Sequence, residues 1–236
     1  MIGNSRLSSP GTRLEQLLDT AGELLLQVGY QRVIVEEVAR RAGVDRSAVY
    51  ARFPTKESLY LTVLLRAQRR SVDHQVLRMR ADPTELLPSR MSRTHYLSLL
   101  ADPVLAALYI RDPSAIGRLT AEVGGTLAAL AEARKQVIIE QLTVLRRHGC
   151  VREERTPETQ YHVLMAIFSG WFAADVLPSL PPNDEVRADL LAETVARALE
   201  VDDPRLDGLA SEQSHLADRY ATLNDLVETE WRRRLG

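Results

Sequence analysis

Apolar residues recur at three- and four-residue intervals along almost the whole chain, and no stretch alternates apolar and polar positions with period two. Residues 12–30 carry Leu17, Leu18, Ala21, Leu24 and Leu25 on one side, and Val35, Val38, Ala39 and Ala42 repeat the pattern in a short segment. A second short segment holds Val49 and Phe53, and residues 57–80 form one long stretch with Leu61, Leu64, Leu65, Gln68 and Val72 roughly aligned. Proline then cuts the chain. Pro83 and Pro88 open a segment with Met91, His95, Leu99 and Leu100, and Asp102-Pro103 starts a short apolar helix that Asp112-Pro113 stops after Tyr109. Residues 114–147 carry a long stripe from Ile116 through Leu119, Val123, Leu127, Leu130, Val137, Ile138 and Leu142 to Leu145, with Gly124-Gly125 as a candidate bend. Thr156-Pro157-Glu158 caps a helix running to about Leu177. Pro178, Pro181 and Pro182 form a stiff linker, 184–199 is the next helix, and Asp203-Pro204 opens the last. The pattern predicts an all-α protein of about ten helices. In the last one Leu206, Leu209, Gln213, Leu216, Tyr220, Leu223 and Val227 make a heptad-like seam, read as a terminal helix packed on the body, with a partner contact as the alternative. Arg232-Arg233-Arg234 at its end suits the negative end of a helix dipole.

The two short segments have a specific relation. Gly43 follows the first where a left-handed residue ends a helix, and Asp45 is placed to cap the second. A helix, a glycine turn and a crossing helix make a helix-turn-helix, which offers the start of its second helix to the DNA major groove. Arg46, Ser47, Tyr50 and Arg52 fall away from the inner side marked by Val49 and Phe53.

The run Ala42-Gly43-Val44, then Tyr50, Phe53, Lys56-Glu57 and Leu59, preceded by a helix ending in Gly29-Tyr30, resembles the TetR family of transcriptional regulators over residues 12–60. The resemblance implies an N-terminal arm (1–11, disordered), a DNA-binding head (12–58), and an effector-binding and dimerisation domain (59–236) with an extended C-terminal helix at about 205–234. It implies Arg46 and Ser47 as base readers and Tyr50, Arg52 and Lys56 as phosphate contacts. It places dimerisation on residues 184–199 and on the nearly all-apolar helix before them, where Ala166, Gly170, Ala173 and Ala174 permit close approach. It implies a small-molecule effector between the middle helices, with His95, Tyr96, Tyr109, Phe168 and Trp171 as pocket candidates. The expected protein is a homodimeric repressor that binds a palindromic double-stranded operator and is released by its effector; the alternative is a TetR-like protein that has lost DNA binding and acts through protein or ligand interaction. Five positions depart from the family pattern. Val33-Ile34 stand where Thr-Thr is usual, which removes a hydroxyl cap. Asp45 replaces a usual Ser, Ser47 a common Gly, and Arg52 a His or Tyr.

Charge tempers the DNA reading. Net charge is −2, and residues 1–60 hold eight basic residues against seven acidic ones. Binding must therefore rest on where the charges sit. His74, His95, His148, His162 and His215 are scattered without metal-ligand spacing, and no nucleophile elbow or phosphate loop occurs, so neither enzyme, cofactor nor metal is expected. The single cysteine, Cys150, excludes an intramolecular disulfide framework and fits a reducing cytoplasm. The longest uncharged apolar stretch, 163–174, is too short to span a bilayer, so no membrane association is expected.

Overall fold

The structure, a computed structural model, describes residues 10–112, 115–119, 125–174 and 183–235, and these are helical throughout apart from turns and one isolated bridge between Val151 and Glu200. The helices are α1 (Pro10–Arg32), α2 (Val35–Ala42), α3 (Arg46–Arg52), α4 (Lys56–Ala81), α5 (Pro88–Ala101), α6 (Pro103–Leu105, continued by a π turn, Ala106–Arg111), α7 (115–119), α8 (Gly125–Arg147), α9 (Pro157–Ala174), α10 (Asp184–Leu199) and α11 (Leu209–Leu235). A 3₁₀ turn, Pro83–Leu86, joins α4 to α5. The all-α expectation holds.

Two boundaries differ from the sequence reading. The first helix starts at Pro10 rather than Thr12; residues 1–9 of the expected arm lie outside the described residues. The last helix starts at Leu209 rather than near residue 205, so Leu206 is off the seam and 40% exposed. The cause is local. Val201 donates its N–H to the Cys150 carbonyl at 3.2 Å, and the Cys150 thiol donates to the Arg205 carbonyl at 3.2 Å. These bonds hold the chain extended against residues 150–152 before it can turn helical. The expected proline linker and Gly124 also lie outside the described residues.

Two apolar clusters organise the packing. One joins α1, α2 and α3 through Leu18, Val38, Val49 and Phe53 to Leu61 and Leu65 of α4 and, at the far end of the chain, to Val227 and Trp231 of α11. The other lies in the body, between α4, α5, α8, α9, α10 and α11, and includes Val72, Tyr96, Ile138, Leu164, Leu191 and Tyr220. Helices α4 and α11 run antiparallel along both. Ion pairs Arg80–Asp218 (2.8 Å) and Arg69–Glu228 flank a 2.6 Å hydrogen bond from the Asn224 amide to Asp73, fixing the register. The seam residues Leu209, Leu216, Tyr220, Leu223 and Val227 are all buried, so the C-terminal helix packs on the body as expected.

Candidate nucleic-acid interface and ligand cavity

The head is built by local chemistry. Gly43 takes φ 64° and ψ 30°, the left-handed cap that turns α2 toward α3. Asp45 then caps α3, its carboxylate accepting from the N–H of Ser47 at 2.8 Å and of Ala48 at 3.4 Å. The Ser47 hydroxyl also donates to Asp45, and these bonds, the hydroxyl's first, hold the carboxyl below its ordinary pKa. Val49 is buried on the inner side of α3, while Arg46, Ser47, Ala48, Ala51 and Arg52 are exposed. Helix α2, by contrast, begins on Ile34, which makes no side-chain cap bond and is 61% exposed.

The charged groups on this face are already engaged. Arg46 pairs with Glu36 at 2.8 Å and lies over the Tyr50 ring, 5.5 Å from its centroid. The Tyr50 hydroxyl donates to the same Glu36 oxygen at 3.1 Å. Arg40 and Arg41 both pair with Glu37, at 2.6 and 2.7 Å. Arg52 reaches the C-terminal end of α11 and donates to the Arg234 carbonyl at 3.4 Å. Lys56 turns inward: its ammonium donates to the carbonyls of Gln31 (3.2 Å) and Val33 (3.1 Å) and sits 4.5 Å from the Tyr30 ring centroid. Burial lowers its pKa. Lys56 therefore ties α4 to the α1–α2 junction as well as standing at the position expected to meet phosphate.

In the body, a cavity of about 300 Å³ opens between α4, α5, α8, α9 and α11. Its wall is mostly apolar, with Gln75, His95, Tyr109, Arg134, Ser169 and Tyr220 as the polar groups. The His95 ring is enclosed by protein although part of its surface faces the cavity; desolvation, then the positive charge of Arg134, lowers its pKa to about 3, so it is neutral. Tyr109 accepts a hydrogen bond from the Gln68 amide, and Tyr220 donates to Gln141 at 2.6 Å.

Residues 17–63 match the family model of bacterial regulatory proteins, tetR family. Residues 17–63 are a TetR-family helix-turn-helix domain. An uncharacterized HTH-type transcriptional regulator of Mycobacterium tuberculosis is 27% identical over 199 residues, covering 80% of this chain and 94% of that protein. The HTH-type transcriptional activator FasR of Mycolicibacterium smegmatis is 43% identical over 54 residues, 23% of this chain and 25% of that protein. Among solved structures, the complex of SmeT with triclosan aligns with a TM-score of 0.60 at 23% identity, over 81% of this chain and 95% of that one, a likeness of fold. Beyond residues 17–63 the likeness is in sequence to a protein named an HTH-type transcriptional regulator and in fold to SmeT.

The TetR-type head brings Arg46, Ser47 and Tyr50 onto one surface and leaves Lys56 at its edge. Of the pocket candidates, His95, Tyr109 and Phe168 line the cavity. Tyr96 is buried outside it, stacked on Phe172 at 6.0 Å, and Trp171 also stands outside. On α9, Ala166, Gly170 and Ala173 are exposed and Ala174 half-buried, beside exposed Val186 and Leu190 on α10. No helix among the described residues is long and apolar enough to cross a membrane. Sequence reasoning passed over Glu36 and Glu37, which neutralise the head, and Arg134, which enters the cavity. The signal for Arg134 was present: it sits four residues after Leu130 and four before Ile138, a charge in the apolar stripe.

Proposed function

We propose that the chain is a homodimeric, effector-released repressor acting in the cytoplasm, with α3 of each protomer reading one half of a palindromic operator. The observation that carries this reading is the exposed outer face of α3, rigidly capped by Asp45 and carrying Arg46 and Tyr50. Arg46 has the donors to read guanine O6 and N7 bidentately. Tyr50, Arg52 and Lys56 are assigned to phosphates, contacts that set register. The exposed small residues of α9 and the exposed Val186 and Leu190 of α10 support a four-helix contact across a two-fold axis, and isologous contact is what a palindromic site requires. The fold shared with SmeT, which binds triclosan and represses an efflux pump, supports an apolar effector site and the repressing direction. The test is selection of genomic fragments by the purified protein, with its mass in solution measured alongside. Enrichment of a palindrome bound by two protomers is expected. A monomer that enriches nothing, with or without the compounds that co-purify, would contradict the proposal and favour the protein that no longer reads DNA.

A further inference from the structure

We infer that the cavity takes an amphipathic monocarboxylate: an apolar or aromatic body ending in one anionic group, which Arg134 binds. The inference rests on reading this cavity as the effector site and adds the chemical class of the effector. The wall formed by Val72, Leu99, Ile138, Leu164, Phe168 and Leu223 suits an apolar body. Among the described residues, Arg134 is the cation of that wall and no carboxylate lines it. Nor does Arg134 form an ion pair with any other described residue, whereas most other arginines of the body are paired, such as Arg69, Arg80, Arg93 and Arg219.

A guanidinium does not deprotonate within proteins, so the half-buried Arg134 keeps a charge that no described residue neutralises. Leaving a charge unpaired in a low-dielectric cavity is costly, and a ligand carboxylate removes that cost while accepting two parallel N–H bonds. The charge number follows from the neighbours. His95 is neutral and supplies no second cation, so one anionic group matches the site better than a phosphate dianion. The Tyr220 hydroxyl donates to Gln141, while Tyr109 accepts from Gln68 and keeps its own proton to donate. Arg134 is thus the charged donor of the described wall, with neutral donors such as Tyr109 beside it. A second sign of a missing polar partner lies next to it: the small inner recess shared by Arg134, His95 and Tyr109 is also lined by Ser71, whose buried hydroxyl has no hydrogen-bond partner among the described residues.

The experiment uses the full-length protein with decanoate and 3-phenylpropionate, each beside its methyl ester, followed by calorimetry and thermal melting. The acids are expected to bind at least tenfold more tightly than their esters. In Arg134→Gln the difference should vanish, and the ligand-free variant should melt no lower than the parent, because an unpaired charge has been removed. Equal binding of acid and ester, or a selectivity unchanged in Arg134→Gln, would overturn the inference while leaving an effector cavity in place. A lower melting point in the free variant would overturn it by making Arg134 a structural residue. No binding by any acid or ester would overturn it together with the effector-site reading.

Discussion

At Ile34 the chain starts a helix without a cap. Its side chain has no oxygen to accept from the first turn of α2, and it stands largely in water. Its backbone, φ −118° and ψ 126°, is already that of an N-cap. Ile34→Thr should therefore stabilise the protein by roughly 1 kcal/mol in chemical denaturation; a midpoint that stays put or falls would show that the cap is not limiting. Glu36 is the second residue of interest. Its own backbone N–H, the Tyr50 hydroxyl and Arg46 hold its carboxyl below the ordinary pKa, against a smaller effect of burial, so it is ionised wherever DNA binding would be measured. On the proposed reading it competes with DNA for Arg46 and Tyr50. Glu36→Gln should raise operator affinity by up to about fivefold, the range of an exposed ion pair, with little change in melting point. Weaker binding would instead make Glu36 a positioner of Arg46. The capping role of Asp45 was legible because it acts within three residues. The neutralising role of Glu36 was not, because it depends on how α2 and α3 cross.

Among the elements, α11 shows most clearly where sequence pattern stops. Its seam of leucines forecast a helix packed on the body, and it is one. Which parts of the body it meets was not in the pattern: α11 reaches past the cavity, where Tyr220 and Leu223 line the wall, to the head, where Trp231 joins the core of α1 and α4. Arg69 lies 4.7 Å over the Trp231 ring, and Arg52 of α3 donates to the carbonyl of Arg234. Such pairings between positions more than 150 residues apart are set by tertiary packing, which a local period cannot express. Trp231→Ala should destabilise the protein by about 3 kcal/mol and raise amide exchange across residues 17–63 more than across α9 and α10. Equal loosening throughout, or no loss of stability, would remove α11 from the support of the head.

For the whole molecule, two helices span both candidate sites. Helix α4 holds Lys56 at the head and Val72 and Gln75 at the cavity; α11 holds Trp231 at the head and Tyr220 at the cavity. On the proposed function, a ligand that shifted either helix would tilt the head, and because half-sites lie about 34–36 Å apart, a small tilt in each protomer would be enough to spoil the fit of a dimer. The modest charge of the chain makes this account sensitive to a single quantity, the number of phosphates the heads neutralise. The most direct test is fluorescence anisotropy of the selected operator against salt, for the parent and for Arg46→Ala and Lys56→Ala. The account predicts a steep log–log decline of about −0.9 per phosphate neutralised. Arg46→Ala should cost about 1–3 kcal/mol on the operator and relax its sequence preference, and Lys56→Ala should weaken all duplexes alike and flatten the slope by about one. A shallow slope in the parent, with both variants indistinguishable from it, would contradict DNA reading by α3.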